Sequence, residues 1–121
     1  MESKNKVTNE TGNDHGLREL AQVDRLIHEP ARLMILMVLY TVDLADFTYL
    51  INATELTDGN LSSHLAKLEA ANYVEIEKGY EGKRPRTLLR LTEEGRLAVE
   101  SYRSTMQQAL QNMKGEPDKC A

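Results

Sequence analysis

The side chains best placed to do chemistry fall in two short stretches of the 121-residue chain. Between Asp58 and Ala71, Leu61, Leu65 and Leu68 recur at helical spacing and leave Gly59, Asn60, Ser62, Ser63, Ala66 and Lys67 on the opposite side, with His64 on the border. A small, polar, nearly acid-free helix face can enter a groove about 12 Å wide and approach base edges. Asn60 can pair bidentately with adenine and Lys67 can donate to guanine, while Ser63 and His64 can bond base edges or phosphates. The same face would also serve as a plain solvated surface.

The second stretch runs from Lys78 to Arg90, where five basic residues (Lys78, Lys83, Arg84, Arg86, Arg90) face one acid, Glu81, a local balance of +4. Lys83, Arg84 and Arg86 lie around Pro85 and between glycines, with little apolar surface beside them. Such cations suit phosphates or a narrow minor groove, although solubility alone would also explain a basic loop. Tyr80 either reaches the sugar-phosphate backbone or packs on its own hairpin. Arg90 either touches a phosphate or pairs with Glu75 or Glu77 across the strands.

Overall composition opposes a polyanionic partner, since the formal net charge is -4 and the isoelectric point near 5.4. The local distribution must therefore carry any such binding. Other chemistries find less support. There is no glycine-rich phosphate loop, no nucleophile-elbow serine, and no cysteine beside a histidine partner, so an enzyme is not expected. His28 beside Glu29 reads as capping or surface pairing before acid-base work. The lone Cys120 and three scattered histidines offer no metal-ligand cluster, and no cofactor is expected.

These residues need elements to hold them. Residues 17–28, LRELAQVDRLIH, carry an apolar stripe that predicts a first helix. Pro30 suits the first turn of a second helix, and the run ARLMILMVLY behind it is apolar nearly all round, as a central core helix would be. Asp46 is placed to cap a short helix through Ala53, and Thr57, Asp58, Gly59 and Asn60 supply the turn and cap before the leucine-striped helix. Two short helices joined this way form a helix-turn-helix. After Asn72 the period falls to two: Val74 and Ile76 alternate with Glu75 and Glu77, and Leu89 and Leu91 repeat the pattern on a second strand. Gly79, Gly82 and Pro85 between them predict a loop longer than a two-residue hairpin. Thr92 then caps a helix expected to run to about Met113, with Glu93 and Glu94 complementing its dipole.

The fold class expected is mainly α with a small β-hairpin (α+β), in winged helix-turn-helix order. The stretch TELTDGNLSSHLAKLEAANYVEIEKGYEGKRPRTLLRLTEEGR resembles the winged-helix domains of MarR- and ArsR-type regulators, above all their small single-domain members. The resemblance covers about Leu26 to Tyr102. It implies transcriptional regulation through sequence-specific binding of double-stranded DNA, with a recognition helix carrying Asn60, Ser62, Ser63, His64 and Lys67 and a basic wing over residues 79–86 carrying Lys83, Arg84 and Arg86. It also implies a homodimer formed by helices outside the motif. The missing Cys and His ligands set this chain apart from metal-sensing relatives.

In the last helix Ala98, Tyr102, Met106, Ala109 and Met113 recur at nearly heptad spacing, which suits a twofold seam or closure over the domain's own core. The expected dimer surface comprises Leu20, Ile27, Tyr102, Met106, Ala109 and Met113. A twofold pair would set recognition helices about 34 to 36 Å apart, one DNA turn. The expected organisation is a tail over 1–16, a DNA-binding domain over 17–113 with its dimerisation helix at 92–113, and a flexible tail over 114–121. The longest apolar run has eight residues, too few to span a membrane, and the amino terminus lacks a signal-peptide core, so a cytoplasmic protein is expected. A crevice between the dimer helices and the DNA-binding unit would have room for a small-molecule effector, but no convergent polar cluster identifies one. The competing reading is a winged helix that docks proteins, which would expose an apolar patch with an aromatic anchor in place of a basic wing.

Overall fold

The computed structural model describes residues 23–113. They contain four helices and three strands: α1 (Pro30–Val42), β1 (Ala45–Asp46), α2 (Phe47–Thr54), α3 (Asp58–Ala70), β2 (Val74–Glu81), β3 (Arg84–Leu91) and α4 (Glu93–Gln111). This is the winged helix-turn-helix order and the expected α+β class. The chain divides into two compact units. One is Asp24–Ser101, and the described residues of the other are Val23 and Tyr102–Met113. The tails expected at 1–16 and 114–121, and Leu20 with the rest of 17–22, lie outside the described residues.

Each helix of the first unit starts where local chemistry dictates. Glu29 caps α1 by accepting the Arg32 backbone N–H at 3.0 Å, and Pro30 occupies the first turn, where its missing donor is harmless. Asp46 accepts from Tyr49 N at 2.8 Å to start α2. Thr57 accepts from Asn60 N at 3.1 Å to start α3, and Thr92 accepts from Gly95 N at 2.9 Å to start α4. The end of α3 is equally defined: Tyr73 N donates to Leu68 O and Asn72 N to Glu69 O, with Asn72 left-handed at φ 66. That pair of bonds is a Schellman closure, in which asparagine tolerates the positive φ.

The core of this unit is aliphatic. Ile35, Leu36 and Leu39 of α1, Leu50 of α2, and Leu61, Leu65 and Leu68 of α3 are buried with Val74 and Leu89 of the sheet. At about 1.5 to 3 kcal/mol per fully buried aliphatic side chain, these residues dominate the domain's stabilisation. Buried Thr54 is satisfied by donating to Leu50 O at 2.7 Å.

Four expectations need correction. Residues 24–28 form a turn, not the end of a helix: His28 N donates to Asp24 O and Leu26 N to the Asp24 carboxylate. An aspartate that bonds the backbone two residues on favours such a turn over a helix interior. α1 is not central all round, because Met34 and Met37 are exposed; α2, α3 and β3 pack on its other side. The strands reach Glu81 and Arg84, leaving a two-residue turn of Gly82 and Lys83 in place of a long loop. Gly82 takes φ +67 while Lys83 stays negative, the pattern of a II′ hairpin turn. Gly79 and Pro85 do not interrupt this ladder. The turn-closing pair Glu81 and Arg84 exchanges hydrogen bonds, so the next pair, Tyr80 and Pro85, lies at a non-bonded site where a missing N–H is tolerated. Finally, a third strand exists: β1 pairs antiparallel with β3 through Ala45 with Leu89 and Asp46 with Leu88, giving the order β1-β3-β2.

In the second unit α4 continues to Gln111, with Tyr102 and Met106 half-buried, Ala109 buried, and Leu110 and Met113 exposed. Burial holds the Tyr102 phenol above its ordinary range. Among the described residues no helix is long and apolar enough to cross a membrane.

Candidate nucleic-acid interface

With Leu61, Leu65 and Leu68 inward, α3 turns Asn60, Ser62, Ser63, Ala66 and Lys67 to solvent, as its periodicity predicts. His64 is half-buried, and its ring Nδ1 lies 3.1 Å from Arg32 Nη1. Exposed acids stand near the ends of this face, Asp58 at the start and Glu69 near the finish. Asp58 complements the positive end of the helix dipole. The helix and the hairpin face each other across one groove of about 580 Å³. Ser62, Ala66 and Glu69 line one side and Lys78 and Thr87 the other, over a floor that includes Leu65, Ile76 and Leu89.

The wing's cations divide into two kinds. Lys83 and Arg84 are exposed at the tip and make no ion pair among the described residues. Arg86 is committed: its Nε lies 3.6 Å from Asp46 Oδ2 and its Nη1 3.8 Å from Glu81 Oε1. Arg86, expected to project from the wing with Lys83 and Arg84, therefore differs from them in having carboxylates beside it. Asp46 is the α2 cap through Oδ1, so its second oxygen ties the wing to the helix-turn-helix. Arg90 likewise takes the internal option, pairing with Glu75 at 3.6 Å and Glu77 at 3.8 Å. Tyr80 is three-quarters exposed, beside the tip.

Two residues outside the sequence-derived set position the interface. Arg32 reaches His64 from α1, and its Nε also donates to Leu26 O at 2.7 Å. Gly95 lets the start of α4 approach the base of the hairpin, for a Cβ there would stand 2.1 Å from Tyr73 O. Nothing local in the sequence marks Arg32, whereas Gly95 breaks the helical pattern of EEGR and so carried a signal. Tyr73 donates to Asp24 Oδ2 at 2.6 Å. That bond, with burial, pushes the phenol up to about 12. Glu29 is held below the usual carboxylate range, chiefly by accepting the Arg32 N–H.

The expected dimer surface is only partly available. Ile27 is fully buried and offers a partner nothing, and Ala109 is buried within the single chain. The sequence pattern could not separate them from Met106 and Met113, because a core position and a seam position are both apolar at the same spacing. Among the described residues no cluster of His, Cys, Asp and Glu could hold a metal ion.

A three-helix core, a recognition-type helix and a three-stranded sheet with a projecting hairpin define a winged helix. Residues 31–110 match the family described as winged helix DNA-binding domain, and the chain belongs to that family. It is similar to the uncharacterized protein MJ0432 of Methanocaldococcus jannaschii, 37% identical over 78 residues, which are 64% of this chain and 85% of the relative. Among solved structures it is similar to a transcriptional regulator homologue from Pyrococcus horikoshii OT3, with TM-score 0.75 and 27% identity over 81% of this chain and 99% of that one. A MarR family transcriptional regulator from Silicibacter pomeroyi shares the fold at TM-score 0.58 and 18% identity, over 94% of this chain and 77% of that one. The winged-helix fold read in the sequence agrees with these likenesses.

Proposed function

We propose that this chain is a non-enzymatic transcriptional regulator that binds double-stranded DNA in a sequence-specific manner as a homodimer. α3 enters the major groove, where Asn60, Ser62, Ser63, His64 and Lys67 meet base edges and phosphates, while Lys83 and Arg84 grip phosphates or the minor groove. Arg86 anchors the wing in this reading. The observation that carries it is the shared groove: an exposed polar helix face and a hairpin with an unpaired basic tip lie on either side of it. An acidic total charge matters little at that distance, since screening limits remote charges to about 8 Å at physiological salt. The homodimer seam centres on Met106, Leu110 and Met113, which recur at i, i+4 and i+7, with Leu110 and Met113 more than half exposed.

Selection from a random duplex pool at two salt concentrations tests the proposal. The expected result is a pseudo-palindromic sequence with half-sites about one turn apart, bound more weakly as salt rises. No enrichment at either concentration overturns it.

One observation favours a second reading, in which the domain docks a protein. Met37, Val38, Thr41, Val42, Tyr49 and Ala53 form a shallow hollow of about 310 Å³ on α1 and α2, with Met37 and Tyr49 exposed. This is an apolar patch with an aromatic member, as protein interfaces favour. It shares no lining residue with the α3–hairpin groove, so substitutions can separate the two uses.

A further inference from the structure

We infer that Arg32 is a positioning residue for DNA specificity: it fixes the tautomer of His64 so that the ring offers a hydrogen-bond donor, Nε2–H, from the reading face of α3. The inference rests on the DNA-binding reading above and adds to it a residue from outside the helix-turn-helix and wing.

A guanidinium carries five N–H donors and no acceptor. Because Arg32 Nη1 lies 3.1 Å from His64 Nδ1, the ring nitrogen must be the acceptor and hold a lone pair. A neutral imidazole that accepts at Nδ1 carries its proton at Nε2. The arginine is not free to swing away. It stands in the first turn of α1, its backbone N–H bonds the Glu29 cap, and its Nε donates to Leu26 O at 2.7 Å, which sets the plane of the guanidinium.

The other ring nitrogen is available. Nε2 has no partner among the described residues, and no buried side-chain nitrogen or oxygen among them lacks one, so Nε2 is open to solvent. A fixed donor there bonds guanine N7 or O6, adenine N7, thymine O4 or a phosphate oxygen, and meets the amino groups of adenine and cytosine unfavourably. An imidazole without Arg32 can present either a donor or an acceptor by exchanging tautomers, and that discrimination disappears. Arg32 therefore converts an ambiguous histidine into a one-way reader.

The test combines imidazole ¹⁵N spectroscopy of the free wild-type chain with binding to a selected duplex and to random duplex. The expected spectrum shows His64 protonated at Nε2. Arg32→Met, which keeps the stem and removes the donors, should weaken binding to the selected duplex about three- to tenfold, the range of one neutral hydrogen bond, and leave random duplex unchanged. Arg32→Lys, which keeps the charge but cannot bond Leu26 and His64 together, should show the same selective loss. In a His64→Ala background neither substitution should have any further effect on selectivity. A wild-type ring protonated at Nδ1, equal losses on selected and random duplex, or losses that add to His64→Ala each overturn the inference. If both Arg32 variants melt early, the wild-type spectrum alone decides. A chain with the Nε2-protonated ring that selects no duplex overturns the DNA reading and the specificity claim with it, whereas the other tautomer in a chain that does select overturns the Arg32 assignment alone.

Discussion

At the tip of the β2–β3 hairpin Lys83 and Arg84 stand exposed without a carboxylate partner among the described residues, whereas farther down Arg86 and Arg90 each hold two. The register explains the difference. Arg90 lies directly opposite Glu75 and diagonal to Glu77, and Arg86 lies opposite Gly79, an absent side chain that leaves it free to reach Asp46 on β1 and Glu81 on the diagonal. β1 pairs only with Leu88 and Leu89, so that strand stops short of the tip. A local excess of positive charge thus splits into charges that stitch strands together and charges left for a ligand.

If the base is what aims the tip, dislodging the base should have the largest effect. Gly95 is the point of attack: an added Cβ would meet Tyr73 O at 2.1 Å, the same oxygen that accepts Thr92 N at 3.0 Å. Backbone must move, and overpacking of this kind costs about 1 to 3 kcal/mol. Gly95→Ala should lower the urea midpoint accordingly and weaken DNA binding as well. An unchanged midpoint would show that the approach of α4 to the hairpin base is looser than the structure describes.

The next largest effect should come from the tip itself. Lys83→Ala with Arg84→Ala should leave the urea midpoint unchanged yet reduce affinity on the order of tenfold on every sequence, and should flatten the plot of log affinity against log salt by about 1.8, at 0.9 per phosphate contact. A slope equal to that of the wild type removes the tip from the contact and leaves α3 to bind alone.

Much of this arrangement was readable from local chemistry. Pro30, Asp46, Thr57 and Thr92 mark helix starts because a cap acts within three residues, and the leucine stripe orients α3 because its period is fixed by the helix. What escaped depends on residues far apart in the chain. Ala45 and Asp46 have no strand pattern of their own and become β1 only by pairing with Leu88 and Leu89. Gly79 and Pro85 read as loop residues, yet the partner strand supplies the ladder that accommodates them. Arg86 was grouped with Lys83 and Arg84 because Asp46, forty positions earlier, shows no sequence link to it. Arg32 escaped for the same reason, lying 32 residues from the histidine it holds. Ile27, on an apolar stripe suited to a partner surface, is enclosed by the chain's own core.

The smallest effect is the most discriminating, and it belongs to Arg90. Its guanidinium is nearly half exposed and its two carboxylates more so, with separations of 3.6 and 3.8 Å from Glu75 and Glu77. Exposed pairs of this geometry contribute about 0 to 1 kcal/mol, because solvent screens the attraction and ordering the side chains opposes it. Arg90→Ala should therefore shift stability by less than about 1 kcal/mol, a loss that fades in high salt. More tellingly, it should leave the salt dependence of DNA binding unchanged, since the charge it removes already faces two carboxylates on the neighbouring strand. A slope reduced by about 0.9, as for a tip residue, would mean that Arg90 abandons Glu75 and Glu77 for a phosphate, and the division between tip and base would then hold only in the free protein.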